Sequence, residues 1–340
     1  MVDRFALTDL SVRIVGAPMA VGPSTPALAA AVANAGGLGF LAASMVSADE
    51  LADSIAAARR LTTGAIGVNL FVPQRRQGTV EQFRSFATAL SLEAGNYGVT
   101  LGKPCHDDDD WAAKLDVVCD LRPEVVSFTF GSPSLRRCCR ITDAGILTLA
   151  TVTTVDEPEI ALSCGVDAVV AQGPSAGGHR ATFDPLAEPA DDPLDDLVAA
   201  LIFGADCPVV AAACLATATD VRRVRCFGAT AAQVGTALLL ADEAGTTPVH
   251  RAALCDPQFD QTVITRAFTG RYARALRHRF IDEHERDAIY GFPEVARMTA
   301  PVLAAAVRVG DPHGTSLWAG TAFRHAKTGS AVDIVRELAA

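Results

Sequence analysis

The sequence predicts a (β/α)8 TIM barrel with an additional helical segment near the C-terminus. Eight short apolar runs alternate with stretches of helical periodicity between residues 13 and 236, and a parallel barrel requires that number of strands. Polar residues collect where these runs end, as they do at the rim of such a barrel. A doubly wound open sheet is the competing fold, but no GxGxxG motif follows the first run. The barrel is therefore favoured.

Length and composition restrict the class of protein. The 340 residues, 50% of them hydrophobic, can bury a barrel-sized core. The formal net charge of -10 argues against a nucleic-acid partner, because phosphate binding needs clustered Lys and Arg. No stretch of about 18 apolar residues predicts a membrane span, and residues 1–5 show no secretory signal. The nine scattered cysteines favour reduced thiols in a cytoplasmic protein, with no metal site.

The first four predicted strands cover residues 13–19, 38–41, 65–71 and 125–128. After the first of them, Thr25 and Pro26 provide a helix cap and a first-turn proline. Ser47 and Glu50 have the spacing of a capping box for the next helix. Residues 78–95 also show helical periodicity. The acidic run at 107–110 is expected to be a solvated surface loop.

The second four predicted strands cover residues 146–150, 168–170, 208–212 and 231–236. Thr154 and Glu157 have capping-box spacing, and a loop rich in Asp and Pro covers residues 181–195. After about residue 240 the strand signals fade, and residues 258–308 carry apolar residues at helical spacing. We therefore expect a barrel over residues 1–240. A helical insertion or cover over 241–312 and a C-terminal segment over 313–340 that returns to the barrel should follow.

The strongest candidate site follows the sixth strand, where residues 171–180 have the sequence AQGPSAGGHR. Gly177 and Gly178 permit positive φ and a close approach of the backbone to a ligand. The imidazole of His179 follows directly and could serve as a general base with a pKa near neutrality. A loop of this kind at the end of a barrel strand is where the fold carries its chemistry. A glycine turn with an incidental histidine is the alternative that the motif alone leaves open.

The other polar strand ends suit a planar cofactor that carries a phosphate. Asn69 and Gln172 have amide groups that could bind the edge of a ring. The turn at residues 233–236 could hold a phosphate through backbone N–H groups, with Gly235 allowing close approach and Thr236 adding a hydroxyl. The sequence has no GxSxG, HExxH or P-loop motif, so hydrolysis and phosphoryl transfer are weakly supported.

Several short motifs together resemble the nitronate monooxygenase family, FMN-dependent TIM barrels formerly called 2-nitropropane dioxygenases. Each motif alone is weak, but their order and spacing match over most of the chain. The motifs are APM at 17–19, AGGLG at 35–39, GVNLF at 67–71, SFTFG at 127–131, AQG at 171–173, AGGHR at 176–180, QVGT at 233–236 and LWAG at 317–320.

The resemblance implies an FMN site at the barrel mouth and an oxidation reaction. His179 would be the active-site histidine, polarising a nitronate or taking the α-proton of a nitroalkane. An alkyl nitronate, such as propionate 3-nitronate, would be oxidised by dioxygen to a carbonyl compound and nitrite. The partners would be a small-molecule substrate and dioxygen, with no nucleic acid and no membrane, and the oligomeric state stays open. The FMN-binding residues would be Met19, Asn69, Gln172, Gly177, Gly178, Ala213, Gln233, Val234, Gly235 and Thr236.

The chain departs from the family pattern at two places. Ala213 and Cys214 stand where the family usually has two glycines near the FMN phosphate, and Phe292 stands where a tyrosine tends to line the substrate pocket. Two Cβ atoms near a phosphate could crowd it or force a costly φ. Two alternatives therefore stay open. One is an FMN-dependent enoyl-thioester reductase that uses NAD(P)H, and the other is a flavin-free barrel that acts as a binding protein.

Overall fold

A computed structural model describes residues 4–340, and residues 1–3, part of the stretch used to predict that no secretory signal is present, lie outside the described part. Its strands are β1 (Ile14–Gly16), β2 (Gly39–Ala42), β3 (Ile66–Phe71), β4 (Val125–Thr129), β5 (Leu147–Val152), β6 (Ala168–Gln172), β7 (Gly178–His179), β8 (Val209–Ala212), β9 (Ala231–Val234), β10 (Thr262–Thr265) and β11 (Ala273–Leu276).

The α-helices are distributed between the strands and after them. They are α1 (Pro26–Asn34), α2 (Ala48–Leu61), α3 (Val80–Ala89), α4 (Ser91–Asn96), α5 (Trp111–Leu121), α6 (Leu135–Asp143), α7 (Glu157–Ser163), α8 (Leu194–Gly204), α9 (Ala218–Cys226), α10 (Pro248–Cys255), α11 (Arg279–His284), α12 (Glu294–Val309) and α13 (Ala331–Ala339). Short 3-10 helices cover Leu7–Asp9, Thr236–Leu238, Glu285–Asp287, Pro312–Gly314 and Phe323–His325. Among residues 4–340, no helix combines the length and hydropathy that a membrane span requires.

Eight parallel strands form the barrel, in the order β1-β9-β8-β6-β5-β4-β3-β2. Its two edges meet where the N–H of Gly16 donates to the O of Leu38 (2.9 Å) and the N–H of Leu38 donates to the O of Ile14 (3.0 Å). Parallel strands covered on both faces are almost continuously apolar, which is why the apolar runs located them. The predicted (β/α)8 barrel is confirmed.

The end of the barrel at the strand N-termini is closed. Val15, Leu149 and Val170 form an apolar cluster that also contains Leu7 and Leu10 of the N-terminal segment. Arg4 fixes this segment, because its Nη1 donates to Oδ1 of Asp167 (2.9 Å), the residue before β6. The opposite end, where the strands have their C-termini, carries the cavity.

The helix starts agree with the sequence in two cases and differ in a third. The Oγ1 of Thr25 accepts from the N–H of Leu28 (2.9 Å), and Ser47 and Glu50 form the predicted capping box. The capping box predicted at residues 154–157 is wrong. The carboxylate of Glu157 is buried and accepts from the N–H groups of Thr153 (2.5 Å) and Phe183 (2.7 Å), so it joins two loops at the barrel mouth instead of capping α7.

The segment after the barrel is not entirely helical, contrary to the prediction for residues 241–312 and for 258–308 within them. β10 and β11 form an antiparallel hairpin, and β11 pairs with β7, which contains His179. The partner strand lies far away in sequence, so helical spacing of apolar residues could not reveal it. The β-branched run TVIT at 262–265 was the available local signal.

The acidic run at 107–110 is not a simple solvated loop, as the sequence suggested. Oδ2 of Asp107 lies 3.1 Å from Nη2 of Arg297, and Oδ1 of Asp109 lies 2.8 Å from Nζ of Lys114. The preceding residues also contact α12, because Nδ1 of His106 lies 3.0 Å from Oε1 of the buried Glu294. Cations on neighbouring helices therefore fix this loop beside α12.

Candidate active site at the barrel mouth

A cavity of about 600 Å³ lies at the C-terminal ends of the barrel strands. This volume is within the range of small-molecule sites. The structure brings all the predicted site residues together on its wall, while the role of each stays a prediction. They are Met19, Asn69, Gln172, Gly177, Gly178, His179, Ala213, Gln233, Val234, Gly235 and Thr236.

The loop that carries His179 is fixed on both sides. β11 pairs with β7, and the N–H of Arg180 donates to the O of Tyr272 (2.8 Å). On the other side, Nε2 of Gln172 donates to the O of His179 (2.9 Å), and its Oε1 accepts from the N–H of Ala181 (3.0 Å). Oε1 also accepts from Nη1 of Arg180 (3.3 Å). The amide of Gln172, which we expected to bind a cofactor edge, thus already donates one hydrogen bond and accepts two within the loop.

Gly177 and Gly178 are required for different reasons. A Cβ on Gly177 would lie 2.5 Å from the N of Gly320 and 2.6 Å from the C of Ala319, because the 319–320 turn packs directly against it. Gly178 has φ +75° and open space around its Cα. The first glycine therefore permits a close backbone approach, and the second permits a left-handed conformation.

Four aromatic rings surround the imidazole of His179. Its Nε2 lies 3.0 Å from Oγ1 of Thr269. Burial, and next the positive charge of Arg271, lower the pKa of His179 to about 3. The predicted pKa near neutrality is therefore wrong, because a charged imidazole would lose its hydration in this surrounding. The ring centroids lie 5.9 Å away for Phe71, 5.6 Å for Phe130, 5.5 Å for Phe292 and 5.7 Å for Trp318.

Arg271 is a buried cation behind this aromatic group. Its guanidinium lies 3.7 Å from the ring centroid of Phe130 and donates to the backbone O of Thr182. A second, weaker contact joins Nη1 to Oε1 of Gln74 (3.4 Å). These partners are all uncharged. The positive charge is therefore available to stabilise an anion beside Phe71, His179 and Phe292, which form the deep end of the cavity.

The turns after β8 and β9 present free backbone donors. The N–H groups of Leu215, Thr236 and Ala237 have no acceptor among the described residues, and all three residues lie on the cavity wall. The Oγ1 of Thr236 accepts from the N–H of Gly320 (3.0 Å), which fixes the second turn. Converging backbone N–H groups of this kind bind anions such as phosphate.

The departure from two glycines lies beside these donors. The Ala213 side chain is 6% exposed and belongs to the apolar core between the barrel and its helices. Cys214 has φ +51°, a conformation that favours glycine, and its Sγ lies 3.2 Å from Oγ1 of Thr321. A non-glycine residue in this conformation costs about 1 kcal/mol. The substitution thus strains the turn at Cys214, and both residues line the cavity beside the free N–H of Leu215.

Asn69 has an acceptor available to a ligand. Its Nδ2 donates to Oγ of Ser127 (2.8 Å) and to Oγ1 of Thr129 (3.1 Å). These bonds hold the amide in one orientation, and its Oδ1 accepts from no donor among the described residues. A cofactor ring with an N–H group on its edge could supply the missing donor.

Phe292 lies on the cavity wall against His179, and the neighbouring Tyr290 does not replace the missing hydroxyl. The hydroxyl of Tyr290 is 2.9 Å from the hydroxyl of Tyr272. Its ring lies beneath the guanidinium of Arg266 at 4.5 Å. The described wall of the cavity does not include Tyr290.

The sequence did not predict several residues that line the cavity wall. Thr269 contacts His179, and His250 presents a buried Nε2 that has no partner among the described residues. Burial lowers the pKa of His250 to about 4. One face of α12 also lines the cavity. Helical periodicity predicts that such a face is apolar, but it cannot distinguish a face that packs in a core from one that borders a cavity.

Comparison with known proteins agrees with this geometry. A family model described as "Nitronate monooxygenase" matches residues 4–340. A "Probable nitronate monooxygenase" of Staphylococcus aureus strain MSSA476 is 33% identical over 336 residues, covering 96% of this chain and 92% of the relative. The nitroalkane oxidase of Streptomyces ansochromogenes is 42% identical, with a TM-score of 0.95 over 98% of this chain and 96% of that structure.

More distant structures share the fold alone. FabK from Thermotoga maritima is 22% identical, with a TM-score of 0.75 over 99% of this chain and 95% of that structure. The Staphylococcus aureus relative, in contrast, is 33% identical over 96% of this chain, and the family model matches residues 4–340. The chain therefore belongs to the nitronate monooxygenase family and is an oxidoreductase of that family.

Proposed function

We propose that this chain catalyses the FMN-dependent oxidation of alkyl nitronates by dioxygen to a carbonyl compound and nitrite. Two nitronate anions and one dioxygen molecule give two carbonyl compounds and two nitrite ions, which balances atoms and charge. Each nitronate gives up two electrons, and its C=N bond is replaced by a C=O bond. The observation that carries the proposal is the side chain of His179, enclosed by four aromatic rings on the wall of the cavity.

The residues present fit FMN. The free N–H groups of Leu215, Thr236 and Ala237 would hold its phosphate, and Oδ1 of Asn69 would accept from an N–H on its ring edge. When bound, the flavin would supply the electron transfer between nitronate and dioxygen that no amino-acid side chain provides. The cavity volume of about 600 Å³ supports the same proposal.

The contacts of Thr269 bear on the position of the proton on His179. The Thr269 hydroxyl has one hydrogen, and Nε2 of His179 lies closer to its Oγ1 (3.0 Å) than the O of Arg271 does (3.2 Å). We infer that the hydroxyl donates to Nε2. Nδ1 then carries the proton of the neutral ring, and it is the atom that would donate to an oxygen of the nitronate.

The low pKa of His179 favours nitronates over neutral nitroalkanes as substrates. A nitroalkane must lose its α-proton before oxidation, and a base with a pKa of about 3 accepts that proton poorly. Oxidation of a preformed nitronate needs no net proton transfer. We therefore assign His179 the tasks of orienting the nitronate and excluding water.

The decisive experiment measures the visible absorbance of the bound flavin. The protein is incubated with FMN, desalted, and mixed anaerobically with propyl nitronate. We expect rapid loss of the oxidised-flavin bands, followed, after dioxygen is admitted, by release of propanal and nitrite. Buffer without nitronate is the control.

Two other results would replace the proposal. Flavin that NAD(P)H reduces but nitronates do not would indicate the enoyl-thioester reductase. A protein that retains no flavin would indicate a binding protein, and the strain at Cys214 would be its first explanation. A Cys214→Gly variant that regains FMN would then separate weak cofactor binding from a different function.

A cytoplasmic location is part of the same proposal. All nine cysteines are free, and burial raises the pKa of the Cys138 thiol to about 12. Free thiols persist in a reducing compartment.

A further inference from the structure

The wall of the cavity carries no formal charge. No Asp, Glu, Lys or Arg among residues 4–340 lies on it. Of its two histidines, His250 is buried and His179 is half-buried among aromatic rings, and pKa values of about 4 and about 3 keep both neutral. The buried cation Arg271 lies behind Phe130, next to the deep end. An anionic group can therefore be stabilised beside His179, while a second anionic group farther out would find no counter-charge.

One face of α12 continues from the deep end towards solvent. It begins next to Phe292, whose ring contacts His179, and runs from the buried Ala296 to the exposed Ala300 and Ala304. The Thr299 hydroxyl on this face already donates to the O of Phe268 (2.6 Å). Between Ala296 and Val307 the helix rises about 16 Å. This face of α12 thus presents small apolar side chains to the cavity and no free hydrogen-bonding group of its own.

The residues at the mouth are apolar as well. Val21 lines the cavity, is 76% exposed and has φ +59°. A β-branched residue rarely adopts this conformation, and strained residues cluster at ligand-binding segments. The neighbouring Ala20 and Pro23 also line the cavity. Both α12 and the segment after β1 therefore contribute exposed apolar side chains to the cavity wall.

We propose that the groove of the cavity beside α12 binds the uncharged alkyl tail of the substrate, so that the enzyme prefers nitronates with apolar tails to those that carry a carboxylate. The inference rests on the proposed function. A tail carboxylate would lose hydration in the groove without gaining a cation. Each methylene buried there would instead raise kcat/KM about fourfold. Propionate 3-nitronate should accordingly be a poor substrate of this chain.

The first test compares preformed nitronates under identical conditions. The ethyl, propyl, butyl and pentyl nitronates measure the effect of tail length. Propionate 3-nitronate is compared with 3-methylbutyl nitronate, in which two methyl groups replace the carboxylate oxygens. We expect kcat/KM to rise with each methylene of the tail. We also expect kcat/KM for propionate 3-nitronate to be at least about tenfold lower than kcat/KM for 3-methylbutyl nitronate.

The second test places a cation in the groove. Ala300→Lys adds a charge at an exposed position on the cavity face of α12, so the variant should fold. We expect the ratio of kcat/KM for propionate 3-nitronate to that for 3-methylbutyl nitronate to rise about fivefold. Val309→Lys is the matched control, because Val309 is on the same helix, 67% exposed and outside the described cavity wall. That variant should leave the ratio unchanged.

The outcomes separate this inference from the function on which it depends. Turnover that prefers propionate 3-nitronate, or that ignores tail length, would overturn the inference alone. Equal shifts of the ratio in A300K and V309K would overturn it too, because the charge would then act at long range. Failure of every nitronate to reduce the flavin would overturn the proposed function together with the inference.

Discussion

The deep end and the mouth of the cavity are built from opposite kinds of side chain. At the deep end, rings fix His179, and the Phe292 centroid is 5.5 Å from that of the imidazole. At the mouth, α12 presents the exposed methyl groups of Ala300 and Ala304. Close packing makes the deep end intolerant of change, while the mouth can accept different groups. We therefore expect the reacting group and the tail of the substrate to be recognised by separate parts of one cavity.

The largest expected effect comes from removing His179. His179→Ala opens a space inside the aromatic rings and frees Thr269, so a nitronate would no longer be held in one position. We expect the rate constant for anaerobic flavin reduction to fall by about 100-fold, with FMN still bound. Stopped-flow absorbance measures it. A loss below about threefold would show that the deep end does not fix the substrate, and the comparison would fail.

Gly177 and Gly178, the two residues before His179, should differ in how well they tolerate an added methyl group. Gly177→Ala should lower the free energy of unfolding by about 3 kcal/mol, because its Cβ would meet backbone atoms of the 319–320 turn. Gly178→Ala should cost only about 1 kcal/mol, since its φ is strained but the space is open. Urea unfolding measures both values. Equal losses would show that the loop does not depend on the contact of Gly177 with that turn.

Acidification should destabilise the protein through its buried neutral histidines. Burial lowers the pKa of His250 and of His278 to about 4, so the unfolded chain binds protons more readily than the folded chain. The stabilisation is complete above the ordinary pKa of about 6.5 and is lost as the pH falls towards 4. Each histidine contributes up to about 1.4 kcal/mol per pH unit in this window.

Urea unfolding at pH 7, 6 and 5 tests this expectation. His278→Asn is a useful comparison, because the amide can still donate to the O of His313, which lies 3.1 Å from Nδ1 of His278. The variant should lose less stability than the wild type between pH 7 and pH 5. Stability that stays constant over this range would contradict the account.

The smallest expected effect is at the mouth. Val21→Gly relieves the positive φ, which is worth about 1–2 kcal/mol, but glycine adds unfolded-state entropy worth about 0.5–1 kcal/mol. The free energy of unfolding should therefore rise by between 0 and about 1.5 kcal/mol, as urea unfolding can measure. A decrease of more than 1 kcal/mol would show that the mouth is packed as tightly as the deep end.

The barrel and the membership of the site could be predicted from the sequence because both follow from local patterns. Apolar runs locate strands that are buried on both faces, and a parallel barrel brings the C-termini of those strands together. Asn69, His179 and Thr236 therefore had to lie near one another once the fold was known.

The remaining features depend on contacts between distant residues. β11 pairs with β7 across about ninety positions of sequence, and Glu157 bonds to Phe183 instead of capping a helix. The pKa of His179 follows from rings that four separate segments contribute. No pattern near His179 in the sequence contains that information.

The most direct test of the central claim, that a neutral His179 serves a substrate arriving as its nitronate, compares the two forms of one compound. FMN-loaded protein is mixed anaerobically at pH 7 with propyl nitronate and, separately, with freshly dissolved 1-nitropropane. The account predicts that the nitronate reduces the flavin at least about 100-fold faster, because a histidine with a pKa of about 3 cannot efficiently remove the α-proton. Reduction by 1-nitropropane at the same rate would contradict it and would make His179 an effective base.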